Sequence, residues 1–438
     1  MDNPFTFYTL EEQLNYARRV FITAKSKSSF YRDKLKGVGK IDTYEDWLKV
    51  PFLTRDEVYN NSYPESTDML TCKAEGIIVV STGGSSGISR YSVFTHEEWD
   101  TFAEVQAKSM KLLGVTPKDV VANMFVAGNL WPSFLGAHEV IKRVGAVHLP
   151  IGIIPKPELK KALRYFETFK PTVLITLPTM IIALTETFRS MGVTIESVQT
   201  IQFTSEPMPQ NTTDYIKSVF VNAQIKSASY TSADCGMIGY QCDVCRSNEY
   251  HVPTDFQFVE IHNFEEDRPC RQGEEGELVI TNLRRFSMPI IRYRVGDIGY
   301  YKSEACACGD KNPLLVLKGR AGEDFKLGGA YVGMGEIEKA IAPFFAKKGI
   351  SPNYQLKLSV TDDGRMNFIL KIESSSPLES KALEEAIKES LRKEIPYIDT
   401  ACVMNYFNTF EIEFEAIGNL ERSPVTGKVK RLVDKRVQ

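Results

Sequence analysis

A rhythm between about residues 76 and 235 constrains the fold more than any other feature of the chain. Short β-prone runs recur there: "GIIVVS", "VVANMFV", "AVHLPIG", "TVLITLP", "VQTIQFTS" and "IKSASYT". Between most of them lie amphipathic stretches such as "EEWDTFAEVQAKSMKLLG" and "KPELKKALRYFETFK". Strands alternating with helices predict a largely parallel α/β sheet covered by helices, with ligands collected at the carboxyl ends of the strands. Upstream, residues 9–36 read as helical, with apolar residues every three or four positions until "GVGK" stops the pattern.

After about residue 236 the long helices drop out. "FQFVEIHN", "EGELVITNL", "IIRYRVGDIGYY" and "LLVLKGR" predict a β-rich subdomain over about 236–320. From about 325 the pattern mixes again. "YVGMGEIEKAIAPFFAKKG" reads as helical, "YQLKLSVTDDGRMNFILKIE" as a hairpin turning at Asp-Asp-Gly, and "ESKALEEAIKESLRKE" as a charged helix. The expected architecture is therefore α/β: a large N-terminal domain of α/β sheets with the β-rich subdomain (1–322), and a small α+β C-terminal domain (323–438).

Charge narrows the function classes. The chain carries 53 basic and 56 acidic side chains, a net −3, so nothing suggests a nucleic-acid or membrane-surface footprint. The start "MDNPFTFYTLEEQ" has neither the basic segment nor the apolar stretch of a signal peptide. No apolar run approaches the roughly 20 residues of a membrane span. A cytoplasmic protein is expected, with neither nucleic acid nor membrane as partner.

Within the rhythm, "VVSTGGSSGISRYSVFT" (79–95) is a strand that empties into glycines and hydroxyls. Gly83, Gly84 and Gly87 free the backbone to approach a ligand, and exposed amides in such a turn form an anion-binding nest. Ser81, Thr82, Ser85 and Ser86 add hydroxyl donors. The lysine of a Walker loop is missing. A polar linker after a strand is the alternative reading of this stretch.

Other segments supply parts that fit around such a loop. "SYTSAD" (229–234) offers Tyr230 and Asp234 beside Ser229, Thr231 and Ser232, and "QFTSEPMP" (202–209) carries Ser205 and Glu206. "MPIIRYRVGD" (288–297) sets two arginines and Asp297 at one strand end. "KGRAGEDFKLGGAYVGMGEIE" (318–338) contains Arg320 and Lys326, and "RSPVTGKVKR" (422–431) places Lys428 in a turn. Each alone is as readily a surface segment.

In order and spacing together, these segments resemble the adenylate-forming superfamily, and within it the phenylacetate–CoA ligase-like branch. The resemblance runs from roughly residue 50 to the end and is strongest across "GEEGELVITNL", "MPIIRYRVGD" and "GRAGEDFKLGGAYVGMGEIE". It implies a large N-terminal domain with a rotating C-terminal lid. The implied activity joins a carboxylate to AMP from ATP, releases pyrophosphate and passes the acyl group to a thiol. By the same resemblance, Ser81–Gly87 grips the β- and γ-phosphates; the lysine that often follows is Ile88 here, with Arg90 two residues on.

Tyr230 would stack on adenine, and Asp234 would stand where the family's glutamate helps hold Mg²⁺, a hard cation that takes oxygen ligands. Asp297 would accept from the ribose hydroxyls and Arg320 would contact ribose or phosphate. Ser205, Glu206, Ser229, Thr231, Ser232 and Lys326 complete the expected nucleotide-binding set. Glu323 and Asp324 would fall at the hinge. Lys428 would meet the carboxylate–phosphate junction, where a cation offsets developing charge.

The acyl pocket is expected between 125–136, 202–209 and 227–230, with Trp131, Phe134 and Met208 as its wall. An aromatic acid is implied by the family alone. The acceptor stays open between CoA, a carrier-protein thiol and an amine, and so does a homodimer. Adenylylation of a cofactor hydroxyl and a degenerate nucleotide-binding protein are the alternative readings.

"CDVCRSNEYH" and "CACG" supply Cys242, Cys245, His251, Cys306 and Cys308. Two thiolate pairs in separate segments suit a closed tetrahedral structural Zn²⁺ site, and the resemblance supports the same pairing. Five candidates compete for four places, with Cys242 or His251 expected as the spare.

Overall fold

Threonine caps organise the N-terminal helices. In the computed structural model, α1 (Leu10–Lys27) opens with a capping box between Thr9 and Glu12, and Ser28 ends it while capping α2 (Ser29–Lys34). The helical reading of 9–36 is thus divided at Ser28. Thr43 and Thr54 cap α3 (Tyr44–Leu48) and α4 (Arg55–Asn61) in the same way. The structure describes residues 4–81, 91–128, 130–154, 158–204, 210–264, 266–320, 324–327, 330–345, 350–374, 381–416, 418–421, 429 and 431–436.

β1 (Ile77–Ser81) does not join the parallel sheet that its place in the rhythm suggested. It pairs antiparallel with β2 (Tyr91–Thr95), Ser81 opposite Tyr91. Only nine residues separate these strands, and a parallel return needs a dozen or more. The Thr95–Glu98 capping box then starts α5 (His96–Leu112).

The alternation that follows does build a parallel sheet. β3 (Val120–Asn123), α6 (Pro132–Val144), β4 (Val147–Pro150), α7 (Lys160–Phe169), β5 (Val173–Thr176), α8 (Pro178–Ser190), β6 (Thr200–Phe203), α9 (Gln210–Lys217) and β7 (Gln224–Ser227) follow one another along the chain. The strands lie in the order β4-β3-β5-β6-β7, every pair parallel. Val121, Ile141, Leu174, Ile181, Ile201 and Phe220 are buried within this layer. Complete burial of side chains this size stabilises by about 1.5–3 kcal/mol each.

The run "IKSASYT" divides. Its first half lies in β7, whereas β8 (Tyr230–Ser232) turns away to pair with β9 (Gly236–Gly239). Next come β10 (Glu249–His251), β11 (Gln257–Asn263), β12 (Arg268–Pro269), β13 (Gly276–Asn282), β14 (Tyr293–Tyr301) and β15 (Leu314–Arg320). They form an antiparallel sheet in the order β10-β15-β14-β13-β11-β12. Trp47, Tyr31 and Leu53 from the N-terminal helical region share a core with Phe258, Leu278 and Ile290 of this β-rich region.

Buried side chains from Phe325 onward form their own core. β16 (Asp324–Leu327) pairs with β17 (Ala330–Gly333), and α10 (Met334–Phe345) starts only after that strand, later than the helical reading from Tyr331. β18 (Ile350–Val360) and β19 (Met366–Ser374) are the expected hairpin, followed by α11 (Lys381–Glu394), α12 (Pro396–Val403), β20 (Phe407–Ala416) and β21 (Leu432–Asp434). β20 and β21 flank the hairpin in parallel. Among the described residues, no helix is long and apolar enough to cross a membrane.

Candidate active site

A cavity of about 240 Å³ lies where residues at the carboxyl ends of β5 and β6 and just beyond β7 face α5, α6 and the β8–β9 segment. Helix periodicity explains one wall: Trp99, Phe102, Ala103, Gln106 and Met110 fall on a single face of α5 and all line the cavity. Phe94, Phe125 and Trp131 extend this apolar, aromatic set. Phe102 packs against β9 because residue 236 is glycine, with φ +73°; a Cβ there would stand 1.6 Å from the ring.

The remaining lining is polar. Ser81, Ser229, Thr231, Ser232, Asp234, Asp297, Arg55 and Lys326 all face the same space. Lys326 comes from β16, so the cavity draws also on the chain that follows the β-rich sheet.

Asp234 is held from two sides, accepting from Ser92 Oγ at 3.2 Å and from the Tyr293 hydroxyl at 3.3 Å. Its backbone carbonyl accepts from Arg285, a fully buried guanidinium that also donates to Ser92 Oγ at 2.9 Å and to the Val93 carbonyl at 2.8 Å. Arg285 lies over the Phe94 ring at 4.2 Å, and burial pulls its pKa below the usual arginine value. Glu98, near the start of α5, accepts from the Phe286 and Ser287 amides at 2.7 Å each, tying down the loop that carries Arg285.

Asp297, on β14, accepts from the Tyr230 hydroxyl at 2.5 Å. Burial pushes its carboxyl above the usual range, opposed by that hydrogen bond and by the charges of Lys326 and Arg55. Tyr230 itself is not among the residues lining the cavity; its ring tilts against Tyr250. Arg320 is the backbone partner of Asp297 across β14–β15. Thr82–Gly87, Ile88, Arg90, Ser205, Glu206, Met208, Glu323 and Lys428 lie outside the described residues. Trp131 lines the cavity, whereas Phe134 packs against the parallel-sheet core and comes near Gly152.

Sequence reasoning gave no individual role to several lining residues, among them Tyr293 and Gln202, which lay inside quoted segments, and Arg55 and Gln106, which lie on α4 and α5.

The cysteine segments converge at the far end of the β-rich sheet. Ligand atoms of Cys242, Cys245, His251 and Cys306 all lie within 4.8 Å of one another. Cys242 Sγ is 3.3 Å from Cys245 Sγ and 3.7 Å from Cys306 Sγ. His251 Nδ1 meets the Asn312 carbonyl at 2.9 Å, and a carbonyl only accepts; the proton therefore sits on Nδ1 and Nε2 presents its lone pair. This compact set holds both Cys242 and His251, where one was expected to be spare. The residue outside it is the exposed Cys308, whose Sγ lies 3.4 Å from the Nε2 of the fully buried His251. Three thiols and one imidazole nitrogen at this spacing fit a closed tetrahedral zinc site.

No protein-family model matches the chain. The curated phenylacetate–coenzyme A ligase of Thermus thermophilus is 25% identical over 392 residues, covering 87% of this chain and 84% of that protein. The curated protein of the same name from Aromatoleum evansii is 23% identical over 411 residues, covering 92% and 88%. Both relatives are phenylacetate–coenzyme A ligases, the branch of the adenylate-forming superfamily that the motifs of this chain resemble. The same fold is found in 2-hydroxyisobutyryl-CoA ligase solved with 2-HIB-AMP and CoA in the thioesterification state. The TM-score is 0.77 at 21% identity, with 99% of this chain and 91% of that one covered. The same ligase solved in a postadenylation state gives a TM-score of 0.65. This shared fold frames the cavity described above.

Proposed function

We propose that the chain is an ATP-dependent acid–thiol ligase, which activates a carboxylic acid as an acyl-AMP with release of pyrophosphate and transfers the acyl group to CoA. One observation carries this reading: two carboxylates, an ammonium group and a guanidinium line the same cavity as a patch of aromatic side chains. A polar nucleotide and an apolar acid need such neighbours when they react with each other.

In this reading, Asp297 accepts from the ribose hydroxyls, positioned by Tyr230. Asp234, held by Ser92 and Tyr293, offers a hard oxygen toward Mg²⁺, which supplies charge neutralisation at the phosphates when bound. Lys326 and Arg55 add positive charge to the same wall. The aromatic set on α5 favours an aryl or arylacetic acid. Cys242, Cys245, His251 and Cys306 hold a structural zinc ion, away from the chemistry.

The test is acid-dependent pyrophosphate release followed by thioester formation on adding CoA. Consumption of ATP with no acid on a broad panel, or AMP transferred to a hydroxyl product, would overturn the assignment.

A further inference from the structure

The cavity wall holds a buried amide nitrogen with no hydrogen-bond partner among the described residues. Gln202 lies on β6, in register with Ile175 of β5 and Lys226 of β7, and is 1% exposed. Both faces of a covered parallel sheet are normally apolar. Gln202 lines the cavity, yet its Nε2 is buried and has no hydrogen-bond partner among the described residues. An unmade amide bond in such surroundings is costly, and buried polar groups are nearly always paired. Gln106 of α5 lines the same cavity, about one turn from each of Phe102 and Met110, and adds a second amide.

We infer that Gln202 selects the acid: the preferred substrate is an aryl acid carrying a ring hydroxyl that pairs with the Gln202 amide. The inference rests on the ligase reading above and deepens it. A hydroxyl both accepts and donates, so it satisfies an amide in either orientation of its side chain. The ring that carries the hydroxyl matches the aromatic lining supplied by Trp99, Phe102 and Phe125. Carboxylates and cations mark the nucleotide portion of the wall, whereas of the two register neighbours of Gln202 it is the apolar Ile175, and not Lys226, that lines the cavity. A site built around a buried donor rejects the analogue that lacks the partner, because the donor then stays unpaired.

Pyrophosphate release by the full-length protein, with phenylacetic acid and its 2-, 3- and 4-hydroxy derivatives, tests this directly. One hydroxylated isomer is expected to exceed the unsubstituted acid in kcat/KM by roughly 10- to 100-fold. Gln202→Met keeps the volume and removes the amide, and should reduce that ratio to about threefold or less. Gln202→Leu, checked for folding by circular dichroism, should do the same. Wild-type turnover with no isomer favoured beyond about threefold overturns the inference and leaves the ligase reading standing. An equal loss on all four acids in Gln202→Met also overturns it, since the amide would then bind the common carboxylate. If wild type turns over none of these acids but does activate others, the inference fails alone; if it activates no acid at all, both fail.

Discussion

The Tyr230 hydroxyl donates to the Asp297 carboxylate at 2.5 Å, joining the short ribbon after the parallel sheet to the β-rich sheet. Two segments 67 residues apart thus set one acceptor at the cavity wall. Burial raises the Asp297 pKa in the folded protein, so the folded state holds its proton to higher pH than the unfolded chain. Raising the pH from the ordinary carboxylate range through this elevated value therefore costs stability. Asp297→Asn should melt at a higher temperature than wild type at pH 7, with the gap closing as the pH falls toward 4. The same variant should bind ATP roughly tenfold more weakly. Thermal melts across pH, with nucleotide titration, measure both; a gap independent of pH would show that the Asp297 charge is not the cause.

Gly236→Ala places a methyl group where the Phe102 ring now sits, on a backbone angle that non-glycine residues resist. It should destabilise the protein by about 1–3 kcal/mol in urea melts. As the ring is displaced toward the cavity, KM for the acid should rise roughly tenfold while KM for ATP moves far less. Equal changes in both constants would contradict the placement of Phe102 against the acid.

The thiol cluster predicts about one equivalent of zinc in protein purified without an affinity tag. Cys306→Ser should lose most of the metal and lower the melting temperature, whereas Cys308→Ser should keep it, since only Cys306 belongs to the compact set. Metal analysis by mass spectrometry decides between them. Equal loss in both variants would point to a five-residue site.

Lys428→Ala should lower acid-dependent pyrophosphate release by roughly 100- to 1,000-fold, the usual cost of removing a group that stabilises transition-state charge. Thioester formation from supplied acyl-AMP should persist. Parallel loss of both half-reactions would argue for a role in folding.

The alternation of β-prone and amphipathic runs was enough to read the parallel sheet, because both periodicities are local and each crossover contains its own helix. Strand β1 escaped that logic: its partner depends on connection length, which a propensity reading ignores. Asp234 and Asp297 were picked out by the resemblance of their motifs to a known family, and the clustered cysteines by their spacing. Gln202 opened the segment 202–209 expected at the acyl pocket, but its lone amide was not legible, since a polar residue in "TIQF" looks like any strand position until the opposing helix is in place. Arg55 was hidden for the same reason, lying on a helix more than 240 residues from Asp297 in sequence.

Strand β15 links two places that share no chemistry. At one end Leu314 pairs with His251 of the thiol cluster, and at the other Arg320 pairs with Asp297, roughly 20 Å along the ribbon. Alkylating or oxidising the sulfurs would loosen the anchored end of this lever and let its alignment with β14 drift. An oxidant that never enters the cavity would then register first as poorer grip on the sugar of ATP.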